Sequence, residues 1–300
     1  MIVLKLVYEN DIEVASDIIR FKNKLEEKNI IIGLIERTEN NSNVLEVITK
    51  DDSSKEEIKI IKKYISNIFY KYIIKKYKKN ELFDYITENY FFLRQKEILE
   101  IEDIIMKVLL LEQKPNSDIF VFCYRKINNI LDNIIECILE NDEINISGFL
   151  TFRMKKISRD IEKVIDKIIE RYIIEKEYEE FIDLLKYFIS IQDSKIELVN
   201  IYIKPHDIYS IKDKDGNDIF DKLVDELDMA QVDVVEVDIE DVIISGLITN
   251  APQKIIIHGK NNCSNLEFLN TIELVFESRV FFCQECDFCN LYKNNLTFNR

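Results

Sequence analysis

The spacing of apolar and polar residues predicts a short α/β segment at the start of the chain. Ile2 to Tyr8 is a short apolar run, which predicts a strand, and apolar residues at helical spacing follow between residues 12 and 25. Two more apolar runs, Ile30–Glu36 and Val44–Thr49, flank a polar turn and predict a hairpin. These patterns, with the helix that follows them, give the order β-α-β-β-α.

The helix that closes this segment begins at a cap among Asp52, Ser53 and Ser54 and runs to about Lys79, because apolar residues recur along it every three or four positions. From residue 81 to about residue 192 nearly the whole chain has helical periodicity. Two polar interruptions divide it, Lys114–Ser117 with Pro115 inside, and Asn141–Ser147, where Asn145 or Ser147 is placed to cap the next helix.

The last hundred residues change to alternating strands and helices. The predicted strands are Glu197–Lys204, Ile208–Lys212, Lys254–His258 and Arg279–Phe282. The predicted helices are Ile219–Leu227, Ile239–Leu247 and Leu266–Phe276. Because a helix of crossover length separates the last two strands, we expect them to lie parallel in one sheet.

These patterns predict a mixed α–β (α+β) fold that is predominantly helical. We divide the chain into a small N-terminal α/β segment (residues 1–80), a helical middle (81–195) and a C-terminal α/β module (196–300). The module ends in a Cys-x-x-Cys-x-x-Cys run. The composition agrees with a folded protein, because 47% of the residues are hydrophobic and 32% are charged.

Composition also narrows the function. Only five glycines and three prolines are present, which leaves little material for a phosphate-binding loop, and no common catalytic motif occurs. The sequence therefore favours a protein that is not an enzyme. The start of the chain lacks a basic leader and no apolar run is long enough to span a membrane, so we expect no transmembrane segment and a cytoplasmic location.

The net charge of −15 is unevenly distributed. Lys55 to Asn80 holds nine Lys against two Glu, with aromatic residues interleaved, whereas Asp213 to Asp241 holds twelve acids against two Lys. A basic helix with aromatics is able to bind nucleic acid or an anionic membrane surface through Lys55 to Lys79. Alternatively, the acidic stretch docks on that helix in the same or a second copy, or the lysines form a solvated face.

The cysteines carry the sharpest chemical signal. Cys283, Cys286 and Cys289 are spaced by two residues each, which allows their thiolates to converge on one metal. A fourth ligand would come from Cys263 or His258, beside the end of the neighbouring predicted strand, since the carboxyl ends of parallel strands share one edge. Zinc or an iron–sulfur cluster would suit this set; redox-active thiols and purely structural cysteines are the alternatives.

Two stretches of the chain carry a family resemblance. The first consists of GFLTFRMKKISRDIEKVIDKIIERYIIEKEYEEFIDLLKYFI (Gly148 to Ile189) and KIELVNIYIK, and the second consists of SGLITNAPQKIIIHG and RVFFCQECDFC. These strings resemble the YtxC-like family of sporulation proteins. The resemblance covers about Ile144 to Cys289 well and the first 140 residues loosely. It implies a soluble intracellular role in endospore formation and no known reaction, cofactor or catalytic residue.

Three hypotheses follow from the residues and the resemblance together. The first is a non-enzymatic cytoplasmic sporulation protein that acts through a protein partner or as a homo-oligomer. The second is a zinc or iron–sulfur module that uses the C-terminal cysteines, and the third is a nucleic-acid-associated factor that uses the Lys-rich helix.

Overall fold

The structure of the protein is a computed structural model, which describes most of the chain. The described residues are 1–8, 17–18, 21–22, 25–27, 29–39, 42–114, 117–225, 238–283, 286–287 and 289–290. The chain divides into two compact units, Met1–Ile173 (unit 1) and Ile174–Arg300 (unit 2). The organisation into segments 1–80, 81–195 and 196–300 stays a prediction.

Unit 1 contains a four-stranded sheet, sheet A. Its strands are β1 (Ile2–Tyr8), β2 (Ile32–Glu39), β3 (Ser42–Thr49) and β4 (Glu143–Asn145), in the order β2-β3-β1-β4. The hairpin of β2 and β3 is present, and its ladder extends to the pair Glu39 and Ser42. β4 pairs parallel to β1. The sequence indicated only an interruption between helices there, because three residues are too few to show a strand period.

Helices make up most of the rest of the described part of unit 1. They are α1 (Lys55–Tyr77), followed by a π-helical turn (Lys78–Leu82), α2 (Phe83–Asn89), α3 (Gln95–Leu109), α4 (Ser117–Glu140) and α5 (Ile146–Ile191). The boundary between the two units falls within α5. The predominantly helical α–β fold expected from the sequence is therefore confirmed.

Both predicted caps of long helices are in place. The Ser54 side chain accepts a hydrogen bond from the Glu57 amide, and the Glu57 carboxylate accepts one from the Ser54 amide, which forms a capping box at the start of α1. At the start of α5, the Asn145 side-chain oxygen accepts a hydrogen bond of 2.9 Å from the Gly148 amide. These bonds satisfy donors that would otherwise lack a partner at the first turn of each helix.

The core of unit 1 is built from the apolar stripes of its helices and from sheet A. Ile61 and Ile65 on α1, Ile101 on α3 and Ile161 on α5 are fully buried in one cluster. Lys62 is also buried, and its ammonium donates to the carbonyl oxygens of residues 139 and 141 and contacts Asp142 at 3.1 Å. One of the nine lysines of the basic stretch is thus part of the packing of unit 1.

Unit 2 contains a second four-stranded sheet, sheet B. Its strands are β5 (Leu198–Lys204), β6 (Ile208–Lys212), β7 (Lys254–His258) and β8 (Val280–Phe282), in the order β6-β5-β7-β8. β5, β7 and β8 are parallel, and β6 is an antiparallel edge strand. The expected parallel pairing of the last two strands is confirmed.

Helices pack against the apolar residues of sheet B. They are α6 (Phe220–Asp225), α7 (Ile239–Asn250), α8 (Leu266–Phe276) and the last turns of α5. Ile201 and Ile257 of the sheet are fully buried in this cluster, which also includes Leu185 of α5. Gly246 allows α7 to approach α6 closely, because a Cβ atom there would lie 2.9 Å from the Cβ of Leu223. Unit 2 therefore has an apolar core of its own.

Some expectations fall on residues that are not described. The predicted helix between residues 12 and 25 lies largely outside the described residues, although residues 17, 18, 21, 22, 25 and 26 are helical. The end of the predicted helix Ile219–Leu227 lies outside them as well. Within the described residues, no helix combines the length and the apolar character that crossing a membrane requires.

Candidate metal centre

The candidate site lies where two parallel strands of sheet B end. β7 ends at His258 and β8 ends at Phe282, and their register pairs Ile257 with Phe282. The amide of Cys283 continues this pairing with a hydrogen bond of 2.9 Å to the carbonyl oxygen of Ile257. His258 and Cys283 therefore leave the sheet side by side at the carboxyl edge, where α/β proteins commonly bind ligands.

Four side chains converge at this edge. One ligand atom from each of His258, Cys283, Cys286 and Cys289 lies within 4.8 Å of all the others. His258 Nδ1 is 3.3 Å from Cys286 Sγ and 3.9 Å from Cys289 Sγ. A tetrahedral zinc ion with the usual bond lengths would separate nitrogen from sulfur by about 3.6 Å and sulfur from sulfur by about 3.8 Å. The measured spacing is close to that of a single-ion site.

The imidazole of His258 is held in the tautomer that metal binding requires. Its Nε2 lies 3.2 Å from the Asn200 side-chain oxygen, and the Asn200 amide nitrogen in turn donates to the carbonyl of Asp213. Nε2 therefore carries the proton, and the lone pair of Nδ1 faces the cysteines. Burial lowers the pKa of His258, which favours the neutral imidazole that binds metals.

The neighbouring aromatic ring restrains the same imidazole. Tyr202 stacks on His258 with ring centroids 4.3 Å apart and an angle of 9° between the ring planes. Burial is the largest cause of the raised pKa of Tyr202, and the nearby thiols contribute in the same direction. A neutral phenol thus covers one side of the candidate ligand.

The Cys289 thiol lies in a setting that disfavours the thiolate unless a cation is present. Burial raises the pKa of Cys289 to about 11, and the neighbouring Cys286 and Cys283 side chains add to the shift. The Cys289 amide donates to Cys286 Sγ at 3.4 Å, and the Cys289 thiol donates to the carbonyl of Cys283 at 3.5 Å. A divalent cation would stabilise the three thiolates that this small space brings together.

Cys263, the other fourth ligand considered from the sequence, lies in a different cluster with Asp207 and Glu240. The Cys263 thiol donates to the carbonyl of Asn265 at 3.1 Å, and burial raises its pKa. Glu240 is buried and accepts hydrogen bonds from the Tyr209 hydroxyl and the Asn265 amide. Hydrogen bonds inside unit 2 already engage these groups, so this cluster serves packing.

Comparison with known proteins assigns the chain to a family. The model of the YtxC-like family matches residues 63–281, which is well over half of the chain. The chain belongs to the YtxC-like family. A search of the curated proteins and a search of the solved structures found no match.

The extent of this match differs from the resemblance seen in the residues. It begins inside α1, much nearer the start of the chain than Ile144, and it ends two residues before Cys283. The matched part of this YtxC-like protein therefore includes His258, Asn200 and Tyr202, whereas the three clustered cysteines follow it directly.

Sequence reasoning missed Asn200 and Tyr202. Both lie on β5, two residues apart, and the β5–β7 register places Tyr202 opposite His258. A polar Asn inside an otherwise apolar strand was the available signal. It could not identify the partner, because that required knowing that β5 is the neighbour of β7.

The basic stretch of the YtxC-like protein offers fewer aromatic side chains than its sequence implied. Phe69, Tyr70 and Tyr77 of α1 are buried in the core of unit 1, so they are not placed to stack on bases. Much of the acidic stretch from Asp213 to Asp241 lies outside the described residues. Nucleic-acid binding through Lys55 to Lys79 and docking of the two stretches stay predictions.

Proposed function

We propose that this YtxC-like protein binds one zinc ion through His258, Cys283, Cys286 and Cys289. The observation that carries the proposal is the convergence of one nitrogen and three sulfur atoms within 4.8 Å. Three thiolates and one imidazole form a common ligand set of structural zinc sites. The tautomer of His258, set by Asn200, supports the same assignment.

Zinc fits this spacing better than an iron–sulfur cluster does. The ligands of a cluster bind at least two different iron atoms, so the inorganic core separates some of the ligand atoms. Here all four atoms lie within 4.8 Å of one another, which suits a shared single ion. Lys293 also occupies the position at which a ferredoxin-type run has its fourth cysteine.

The proposed ion is structural. Four protein ligands complete a tetrahedron and leave no open position for water or substrate, unlike a catalytic zinc site. The ion would tie Cys286 and Cys289, which follow the last strand of sheet B, to His258 at the end of β7. This role agrees with the proposal that the protein is not an enzyme.

We further propose that the protein acts in endospore formation, in the cytoplasm, through contacts with other proteins. Membership of the YtxC-like family supports the process, and a cluster of cysteines arranged as metal ligands supports a reducing compartment. The test is the count of heat-resistant spores from a spore-forming host that lacks the gene and is complemented with the wild-type chain or with Cys286→Ser. If the wild-type chain restores the spore count and Cys286→Ser does not, the result supports a role in sporulation that requires the proposed zinc site.

Metal content of the full chain, purified without oxygen or chelator, tests the zinc site directly. We expect one zinc per chain and no visible absorption from an iron–sulfur cluster. Cys286→Ala should abolish stoichiometric zinc because it removes a ligand, and removing the ion from the wild type with a strong chelator should expose three thiols to alkylation.

Two matched cysteine variants serve as controls. Cys137→Ala in unit 1 should keep the zinc, and Cys263→Ala should keep it as well, because Cys263 lies in the other cluster. Metal-free protein with freely alkylated thiols would refute the site. If the protein were brown and contained iron and acid-labile sulfide, the site would be assigned to an iron–sulfur cluster instead of zinc. Loss of zinc in Cys263→Ala would show that the ligand set differs from the one proposed.

A further inference from the structure

A groove on unit 2 lies between three helices, and its described lining includes none of the proposed zinc ligands. It has a volume of about 720 Å³ and is lined by the C-terminal part of α5, by α7 and by the start of α8. The lining includes Phe181 and Phe188 of α5, Ile244 and Ile248 of α7, and Phe268 of α8. We call this surface the helical groove.

The helical groove is open and apolar. Phe181 is 53% exposed and Phe188 is 42% exposed, although the same turns of α5 bury Ile182, Leu185 and Ile189 in the core of unit 2. Aromatic side chains on a folded surface are enriched at protein interfaces, where they bury a large area at little cost in conformational entropy. The two exposed Phe side chains, beside the half-buried Ile244 and Ile248, indicate an interaction surface.

The charges of the helical groove are of one sign. Among its described lining residues, Glu240, Asp241 and Glu267 are acidic and none is Lys, Arg or His. Asp241 and Glu267 are exposed, in the first turns of α7 and α8. Unit 2 as a whole has 12 Lys and Arg against 25 Asp and Glu, a net charge of −13, so the wider field has the same sign.

We propose that the helical groove binds a basic amphipathic helix of a partner protein. The apolar side chains of that helix would contact Phe181, Phe188 and Ile244, and its Lys or Arg residues would face Asp241 and Glu267. A groove formed by helices is a common receptor for an amphipathic helix. Complementary charge at the rim would orient the partner and speed association.

The charge and packing of the chain disfavour the other occupants. An acidic rim repels the phosphates of nucleic acid and the headgroups of an anionic membrane. Among the described helices, α1 has the largest excess of lysine, and it keeps Ile61, Ile65 and Phe69 buried in the core of unit 1, so this helix of a second copy cannot offer its apolar face without unfolding. We therefore assign the groove to a helix of a different protein. This inference does not depend on the proposed zinc site.

Two synthetic peptides and the full chain test the proposal. One peptide is an amphipathic helix of about five turns with Leu on one face and Lys on the other, and its counterpart has Glu in place of every Lys. We expect the Lys peptide to bind at low salt and the Glu peptide to bind at least about tenfold more weakly. Shifts of backbone amide NMR signals should map the Lys peptide to α7, α8 and the C-terminal part of α5.

Variants locate the binding surface. Phe181→Ser should weaken binding of the Lys peptide by about tenfold, and Asp241→Asn with Glu267→Gln should weaken it several-fold. Matched controls are Ile208→Ser, which changes an apolar residue 55% exposed on β6, and Asp215→Asn, which removes an exposed charge outside the groove. Far-UV circular dichroism checks each fold, since the two acids also stabilise the starts of their helices.

The result that supports the proposal is selective loss in the groove variants with unchanged binding in both controls. Equal affinity for the Lys and Glu peptides would overturn it, as would shifts confined to other surfaces. Absence of Lys-peptide binding at low salt, or full binding by Phe181→Ser, would overturn it as well.

Discussion

The two units share a type of sheet and differ in charge. Each contains a four-stranded sheet with both parallel and antiparallel pairs. Unit 1 has 29 Lys and Arg against 31 Asp and Glu, a net −2, whereas unit 2 has a net −13. Nearly all of the net negative charge of the chain therefore lies in unit 2, which also contains the acidic helical groove.

The two sheets also differ in the side chains at the carboxyl ends of their parallel strands. In sheet A, β4 ends at Asn145, whose side chain caps α5. In sheet B, β7 ends at His258 and β8 is followed by Cys283, and both belong to the proposed zinc site. Similar backbone geometry thus places a helix cap in one unit and a cluster of candidate metal ligands in the other. The difference lies in the side chains at the carboxyl ends of the strands.

The largest expected effect tests whether apolar packing stabilises unit 1 independently of the zinc site. Ile165 on α5 is fully buried, so Ile165→Ala should lower the free energy of unfolding of unit 1 by about 2–5 kcal/mol. Urea denaturation measures the loss, and zinc content should stay at one per chain. Val121→Ala, at a residue 72% exposed on α4, is the control and should cost less than about 0.5 kcal/mol. Loss of zinc in Ile165→Ala would show that the units are not independent.

The next effect concerns unit 2 alone. Asn200→Leu removes the acceptor that orients His258, and removing such a partner weakens metal binding by about 10- to 100-fold. Competition with a chromophoric chelator measures the zinc affinity. Asn67→Leu, at an exposed residue of α1, should leave the affinity unchanged. An affinity equal to that of the wild type would mean that Asn200 has no positioning role.

The smallest effect concerns a buried cysteine of unit 1, which lies outside the proposed zinc site. Burial raises the pKa of Cys123 from 9.0 to about 11. The native state therefore keeps its proton while the unfolded chain loses it, so this contribution to stability is complete below pH 9 and is lost as the pH rises through 11. At pH 10 the loss is about 1 kcal/mol.

Cys123→Ala isolates this contribution. The variant loses packing at every pH but has no thiol to titrate, so the stability gap between it and the wild type should narrow by about 1 kcal/mol from pH 8 to pH 10. Denaturant titrations at the two pH values measure the gap. A gap that does not change with pH would contradict the assignment of Cys123 as a buried thiol.

Several elements were predictable because strong periodicity and clear boundaries coincide in them. β1, β6, β7 and α8 have the bounds expected from their apolar patterns and flanking turn residues. β4 was not predictable, since three residues carry no period and the strand exists through its pairing with β1. The break between α2 and α3 was also missed, because no Pro or Gly marks it.

The candidate site divides in the same way. The spacing of Cys283, Cys286 and Cys289 allowed their thiolates to converge on one metal, with redox-active or structural cysteines as alternatives, and the parallel strand order indicated the edge at which they meet. The choice of His258 over Cys263, and the roles of Asn200 and Tyr202, needed the register of β5, β7 and β8.

The sequence by itself determined the helical character of the chain, its uneven charge and the family to which it belongs. These properties are local, because periodicity, composition and sequence similarity depend on the order of residues along the chain. The tertiary structure decided which fourth side chain meets the three cysteines, and it decided that Phe181 and Phe188 face an acidic groove. Both depend on residues far apart in sequence, whose approach is set by strand register and helix packing rather than by any local pattern.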